Sequence, residues 1–180
     1  MGLENNPSMD FGTPYVFATV RRDHLSKMVD ELKRNPAVLR GSLLAGRYDI
    51  VIRPFLYGRW ELYNFINNLR KNDYVRSTST YVVFDGFSRP VNIDNLMLAY
   101  CLIRTQGLAE EALEATRKME SVVEAHVVSG DWDMIAVVTG KTDEEALKNA
   151  IEGFEDVPGV RKTETMTSYR SFSCALSQKL

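Results

Sequence analysis

The sequence has few of the residues that disulfide frameworks and metal centres require. Its 180 residues include two cysteines and two histidines. Cys101 lies in an apolar run and Cys174 near the C-terminus, so we expect two thiols in different surroundings rather than a disulfide. His24 and His126 do not have the spacing of paired metal ligands. We therefore predict no metal and no cofactor.

Long apolar runs and a targeting signal are also absent. No run reaches the roughly 18–20 apolar residues that span a bilayer. Residues 1–13 lack the basic and apolar regions of a secretory signal, so we expect a cytoplasmic protein away from membranes. The net charge of −2 argues against a dedicated nucleic-acid-binding protein. The sequence shows no phosphate-binding glycine loop and no Ser/His/Asp arrangement.

Charge is distributed unevenly along the chain. Residues 1–90 carry 13 Lys+Arg and 9 Asp+Glu, a net charge of +4, whereas residues 91–180 carry 9 and 15, a net charge of −6. Opposite charges would let the two halves attract each other or another copy of the chain. Ordinary solvated surfaces that have drifted apart explain the same difference.

One pattern occurs twice in the sequence. Gly46-Arg47-Tyr48-Asp49 returns 84 residues later as Gly130-Asp131-Trp132-Asp133. The run Val75-Arg76-Ser77-Thr78-Ser79-Thr80 returns 85 residues later as Val160-Arg161-Lys162-Thr163-Glu164-Thr165. A nearly constant offset over so many matched residues indicates an internal duplication.

The sequence pattern of each repeat predicts elements in the order β-α-β-β-α-β. Predicted strands lie at 15–20, 38–45, 48–53 and 75–84 in the first repeat, and at 97–104, 122–129, 132–139 and 160–169 in the second. Apolar residues at helical spacing predict the intervening helices. The expected buried faces are Leu25, Met28, Val29 and Leu32; Leu62, Phe65, Ile66 and Leu69; Leu108, Ala112, Ala115 and Met119; and Leu147, Ala150, Ile151 and Phe154. A capping-box sequence, Thr142-Asp143-Glu144-Glu145, begins the last helix.

This order is the ferredoxin-like α+β plan, in which both helices cover one face of a four-stranded antiparallel sheet. The other face must be buried, so we expect the repeats to pack sheet to sheet as an α/β-barrel-like pseudo-dimer. The predicted division is an arm at 1–13, the first repeat at 14–84, a linker at 85–96, the second repeat at 97–169 and a tail at 170–180.

The two motifs resemble the ligand-binding (RAM) domain of Lrp/AsnC regulators. That domain is a ferredoxin-like unit with a Gly-x-Tyr-Asp turn and a Pro-Gly-Val-x-x-Thr-x-Thr run before its last strand. The second repeat has both, with Trp132 where Tyr is usual. The first repeat has Asn72-Asp73-Tyr74 in place of the Pro-Gly turn. The resemblance covers about residues 14–84 and 97–169 and is more specific for the second repeat.

The resemblance implies a module that binds a small effector, typically an amino acid, near the glycine turn. Backbone N–H groups at such a turn suit a carboxylate, and aspartate and threonine suit an ammonium group. The implied ligand-binding residues are Gly46, Tyr48, Asp49, Thr78 and Thr80, and Gly130, Trp132, Asp133, Thr163 and Thr165. Ordinary turn and strand chemistry accounts for the same residues without a ligand. Arg76 and Arg161 also match and could bind an anion, although exposed arginines need no such role.

DNA-binding members of the family carry an N-terminal helix-turn-helix of about fifty residues, whereas thirteen residues precede the first repeat here. We therefore expect a non-enzymatic, stand-alone module in transcription regulation, which forms homo-oligomers or joins a full-length DNA-binding relative. Two alternatives remain open. Paired ferredoxin-like units also occur in small oxygenases and haem proteins, so an enzyme is possible. The chain could also be an assembly protein without a ligand.

Overall fold

The computed structural model describes residues 13–92 and 96–174. Both repeats have the predicted order of elements, except that the strand predicted at 75–84 is divided into β4 and β5. The elements of the first repeat are β1 (Tyr15–Val20), a 3-10 turn (Arg22–His24), α1 (Leu25–Arg34), β2 (Val38–Ala45), β3 (Ile50–Pro54), α2 (Arg59–Arg70), β4 (Val75–Tyr81) and β5 (Val83–Ser88). Those of the second repeat are β6 (Met97–Thr105), α3 (Ala109–Arg117), β7 (Val122–Val128), β8 (Met134–Gly140), α4 (Asp143–Glu152) and β9 (Val160–Ser173).

The strands of the described ranges form one nine-stranded sheet, in the order β4-β1-β3-β2-β9-β6-β8-β7-β5. Neighbouring strands are antiparallel throughout. Each repeat therefore contributes a four-stranded block in the ferredoxin-like order. The predicted α+β class and tandem ferredoxin-like repeat are confirmed.

Two long segments join the blocks. The first part of β9 pairs with β6 of its own repeat, and the rest pairs with β2 of the first repeat. The chain of the first repeat does the same in two pieces, because β4 pairs with β1 and β5 pairs with β7. Each repeat thus adds a strand to the sheet of the other.

These crossing strands extend past the bounds that the sequence predicts. Residues 85–88 of the predicted linker belong to β5, and residues 170–173 of the predicted tail belong to β9. Both stretches contain glycine or serine, and pairing with the other repeat determines their conformation. Residues 1–12, 93–95 and 175–180 lie outside the described residues, so the arm and the ends of the linker and tail stay predictions.

The predicted faces of α1 and α2 pack against the sheet, with Leu25 and Ile66 partly buried and the other residues buried, but those of α3 and α4 are partly wrong. Leu108 precedes α3 and is 70% exposed, and Leu147 and Ile151 on α4 are also exposed. The residues of these two helices that are buried are Ala112, Leu113, Thr116, Ala146 and Ala150. Alanine fits close packing of a helix on the sheet, but it marks the buried face weakly in sequence. The predicted cap of α4 is present, since Thr142 Oγ1 accepts from the Glu145 N–H at 3.1 Å.

The open faces of the two blocks bury each other. Both repeats fill this central core with aromatic and aliphatic side chains, including Tyr15, Phe17, Tyr48, Tyr81, Tyr100, Leu102, Trp132 and Met166. Each block also has a second core, which lies between its sheet and its own helices. The predicted sheet-to-sheet packing is therefore present. None of the helices in the described ranges has both the length and the apolar composition that a bilayer crossing requires.

A charged cluster lies inside the interface between the blocks. Glu124 of β7 forms ion pairs with Arg40 of β2 and with Arg53 of β3, the latter at 3.4 Å. The Arg53 guanidinium is 3.6 Å from the centre of the Tyr15 ring. The Tyr15 hydroxyl lies 2.7 Å from His126 Nδ1 and 3.2 Å from Glu124 Oε2. All except Arg40 are more than nine-tenths buried, so each charge depends on its partners.

This cluster crosses an approximate twofold axis between the repeats. Arg40 and Glu124 occupy equivalent positions at the offset of 84, and each pairs through its strand with the crossing strand of the other repeat. Tyr15 and Tyr100 are likewise equivalent at the offset of 85. The Tyr100 hydroxyl lies 2.9 Å from Ser42 Oγ. Equivalent positions therefore form polar contacts on both sides of the axis, but with different side chains: Tyr15 contacts His126, and Tyr100 contacts Ser42.

Replacing Glu124 with Gln should lower the free energy of unfolding by about 3–5 kcal/mol, because Arg53 would remain buried without its counter-charge. Urea unfolding monitored by circular dichroism measures this. Glu114→Gln is the control, since Glu114 pairs with Arg117 at the exposed surface, where such pairs contribute at most about 1 kcal/mol. Equal effects of the two substitutions would contradict the importance of the buried cluster.

His126 should make stability depend on pH. Burial, and then the charges of Arg53 and Arg40, lower the pKa of His126 to about 3 in the folded protein, below its ordinary value of 6.5. The unfolded chain therefore binds the extra proton between these values, and stability falls as the pH is lowered. Between pH 7 and pH 5 the loss should be about 2 kcal/mol. His126→Asn should flatten the profile measured by urea unfolding; an unchanged slope would refute this assignment.

Candidate effector-binding clefts

The two glycine turns join β2 to β3 and β7 to β8, and each packs against a strand of the other repeat. Gly46 and Gly130 have φ angles of +148° and +132°, which L side chains rarely adopt. A Cβ on Gly46 would lie 2.6 Å from Met166, and one on Gly130 would lie 3.0 Å from Tyr81. The backbone therefore favours glycine at both turns, and the close approach of Met166 leaves no room for a Cβ at Gly46.

The two turn aspartates have equivalent structural contacts. Asp49 Oδ2 accepts from the Val20 N–H, and Asp133 Oδ2 accepts from the Thr105 N–H, each at 2.8 Å. Val20 ends β1 and Thr105 ends β6. The aspartates therefore bind each turn to the end of the first strand of its own repeat.

The aromatic residues of the turns lie in the central core. Tyr48 is 4% exposed and donates to Ser79 Oγ at 2.9 Å. Trp132 is 2% exposed, and its Nε1 is buried without a hydrogen-bond partner in the described structure. Both side chains pack between the sheets, which leaves little of either for contact with a ligand at the surface.

The four candidate threonines lie on the opposite side of the sheet. Thr80 pairs with Val16, and Thr165 pairs with Cys101, whose side chains belong to the cores beneath the helices. Directly paired residues point to the same face of a sheet, so these threonines face the helices. Thr78 and Thr163 are at matching positions in the same strands. The structure therefore separates the threonines from Tyr48 and Trp132.

Each repeat has a surface cleft, at the start of β4 in the first repeat and at the start of β9 in the second. The cleft of the second repeat has a volume of about 760 Å³, and its lining is Arg104, Thr105, Gly130, Asp131, Asp133, Arg161 and Lys162. The cleft of the first repeat is smaller, about 400 Å³, and its lining is Arg70, Val75, Arg76, Ser77 and Thr78. Three predicted residues, Gly130, Asp133 and Thr78, thus line clefts. The sequence motifs do not include Arg104 and Lys162, which pairing between β6 and β9 brings to the cleft.

The model of the Lrp/AsnC ligand-binding domain matches the chain twice, over residues 13–91 and 98–176. This chain belongs to the Lrp/AsnC ligand-binding domain family. Its two matches coincide with the two ferredoxin-like repeats, so the resemblance that the motifs indicate is confirmed.

The curated relatives that match this Lrp/AsnC chain are named as HTH-type transcriptional regulators. An uncharacterized HTH-type transcriptional regulator of Pyrococcus furiosus is 37% identical in a 94-residue alignment that covers 48% of this chain and 63% of that protein. HTH-type transcriptional regulator FL11 of Pyrococcus horikoshii is 29% identical over 93 residues, 51% of this chain and 61% of its own. The match thus spans less than two thirds of each relative.

Solved structures share the fold with the Lrp/AsnC chain at low identity. The siroheme decarboxylase NirDL has a TM-score of 0.71 at 11% identity and covers 90% of this chain and 72% of its own. A mutant chlorite dismutase from Candidatus Nitrospira defluvii has a TM-score of 0.57 at 13% identity, with 90% and 91% covered. At these identities the similarity shows the paired ferredoxin-like architecture and no activity.

Asp133→Ala and Asp49→Ala should each lower the free energy of unfolding by about 1–3 kcal/mol, because a part-buried backbone N–H loses its acceptor. Urea unfolding in the absence of ligands measures both. Asp156→Ala is the control, since Asp156 is exposed and a substitution there should change stability by at most about 0.5 kcal/mol. Unchanged stability of the turn variants would leave the aspartates without the structural role described above.

Proposed function

We propose that this chain is a regulatory module that binds a small effector, such as an amino acid, in the cleft of the second repeat. The observation that carries this proposal is the cleft itself. It places the family's glycine turn and aspartate beside the exposed Arg161. Backbone N–H groups at a glycine turn and a guanidinium can bind a carboxylate together.

The second repeat has the binding role, and the first repeat is its structural partner. Gly130 and Asp133 both line the larger cleft, whereas Gly46 and Asp49 do not line the smaller one. Of the ten residues that the resemblance implied, Gly130 and Asp133 are the ones that we retain at the site. Trp132 supports the site from the core, where Arg104 and Lys162 lie against its ring, and Tyr48 occupies the equivalent position in the first repeat.

We further propose that effector binding is transmitted through assembly in transcription regulation. The assembly would be a homo-oligomer or a complex with a full-length DNA-binding member of the family. Support comes from the curated relatives, which are HTH-type regulators. A change in assembly size on ligand addition, measured by light scattering, would test this step separately from binding.

An enzymatic role is the second candidate, favoured by the fold shared with a siroheme decarboxylase and a chlorite dismutase. A haem held by histidine would need a ring nitrogen directed at an open site. His126 is inside the barrel, but its Nδ1 lies 2.7 Å from the Tyr15 hydroxyl and its Nε2 lies 3.5 Å from Ser88 Oγ. We therefore place the regulatory role first. A haem absorbance band in the purified protein, lost in His126→Asn, would reverse the order.

A thermal-shift screen against amino acids, keto acids and nucleotides tests effector binding. A ligand at about 100 times its dissociation constant should stabilise the folded state by about 2.7 kcal/mol. Arg161→Ala should weaken the selected ligand about tenfold or more, because it removes a charge-assisted contact. Arg76→Ala is the matched control, since Arg76 occupies the equivalent position in the first repeat.

The outcomes of this screen separate the alternatives. A ligand weakened by Arg161→Ala and not by Arg76→Ala supports the second-repeat cleft. The reverse pattern would transfer the site to the first repeat. A screen in which no compound stabilises a well-folded protein would favour the assembly protein without a ligand.

A further inference from the structure

The cleft of the second repeat contains two cations in direct cross-strand register. Arg104 on β6 pairs with Lys162 on β9. The Arg104 guanidinium lies 5.3 Å and the Lys162 ammonium 5.5 Å from the centre of the Trp132 ring. Like charges directly opposite each other on neighbouring strands destabilise a sheet. The pair therefore needs an explanation beyond strand stability.

The carboxylates nearby do not neutralise this pair. Within the described ranges, Arg104, Lys162 and Arg161 form no ion pair with an acidic side chain. Asp131 accepts from the Tyr81 hydroxyl, and Asp133 accepts from the Thr105 N–H, both at 2.8 Å. The cleft thus presents three cations against two carboxylates that each already accept a hydrogen bond.

The first repeat shows what these positions look like without the cations. The equivalents of Arg104 and Lys162, at the offset of 85, are Thr19 and Ser77. They are also in direct register, and their hydroxyl oxygens are 2.6 Å apart. The sheet is therefore built equally well with a neutral pair that satisfies itself. The cationic pair is a difference that the fold does not require.

We propose that the second-repeat cleft selects an effector with at least two negative charges, a dicarboxylate or a phosphate monoester, and that the first-repeat cleft does not. This rests on the proposed effector-binding function and specifies its ligand class. One anionic group would lie between Arg104 and Lys162 and relieve their repulsion. A second would reach Arg161, which lines the same cleft. A monoanion leaves one of these cationic positions unmatched.

Two matched pairs of compounds test this selection by isothermal titration calorimetry. The dicarboxylate 2-oxoglutarate is compared with the monocarboxylate 2-oxobutanoate, and phosphoserine is compared with serine. At least one dianion should bind about tenfold or more tightly than its counterpart, the effect of one added charge-assisted contact. The pair that shows the difference identifies the anionic group.

Exchange of the cross-strand pairs provides the variants. Arg104→Thr/Lys162→Ser gives the second repeat the neutral pair and should abolish the preference for the dianion. Thr19→Arg/Ser77→Lys is the reciprocal control and should leave binding at the second repeat unchanged. Without ligand, Arg104→Thr/Lys162→Ser should unfold at a higher urea concentration than the unmodified protein in low salt. Added chloride should reduce that difference by screening the repulsion.

The results distinguish this proposal from the one on which it rests. Binding of a monoanion or neutral amino acid that the Arg104→Thr/Lys162→Ser exchange leaves unchanged overturns charge selection and preserves the effector module. Lower ligand-free stability of that variant would also overturn charge selection, because the two cations would then stabilise the fold through their contacts with the Trp132 ring. If none of the four compounds binds and the wider screen finds no effector, both proposals fail.

Discussion

The structure depends on one constraint, which is that each four-stranded block has helices on one face and nothing of its own to cover the other. The two repeats meet this constraint by covering each other, and other features follow from that contact. The strands β5 and β9 extend into the opposite block because pairing there continues the sheet. The glycine turns lie close against Met166 and Tyr81 of the other repeat. The cleft of the second repeat, which Gly130 lines, is therefore held by a contact that neither repeat makes alone.

Much of the fold can be predicted from the sequence, because the duplication shows each structural pattern twice. The strands and the first two helices follow from apolar periodicity, and the pairing of sheets follows from the uncovered face. The ends of β5 and β9 cannot be predicted in this way, since their glycine and serine residues indicate a loop. They are strands because they pair with the other repeat. The faces of α3 and α4 are ambiguous because alanines form their contact with the sheet, while Leu147 and Ile151 remain exposed.

The candidate site is less legible, for physical reasons that differ between residues. The turn pattern leads to Gly130 and Asp133, which line the cleft of the second repeat, but it also contains Tyr48 and Trp132, whose side chains complete the core. Alternation along β4 and β9 places the threonines on the helix side, and sequence alone does not say which face borders a cleft. Arg104 and Lys162 come together through register between strands more than fifty residues apart in sequence.

The pair of Arg40 and Glu124 has a consequence for how such a molecule is assembled. In a symmetric homodimer of single-repeat chains, equivalent positions must hold the same residue. An arginine or a glutamate at this position would then face the identical residue of the other subunit, which has the same charge. Fusion of the repeats removes that restriction and lets the two sides of the interface diverge into unlike partners. Separated into two polypeptides, the halves of this chain would be matched to each other and poorly matched to themselves. The interior is thus encoded as a heterodimer within one chain.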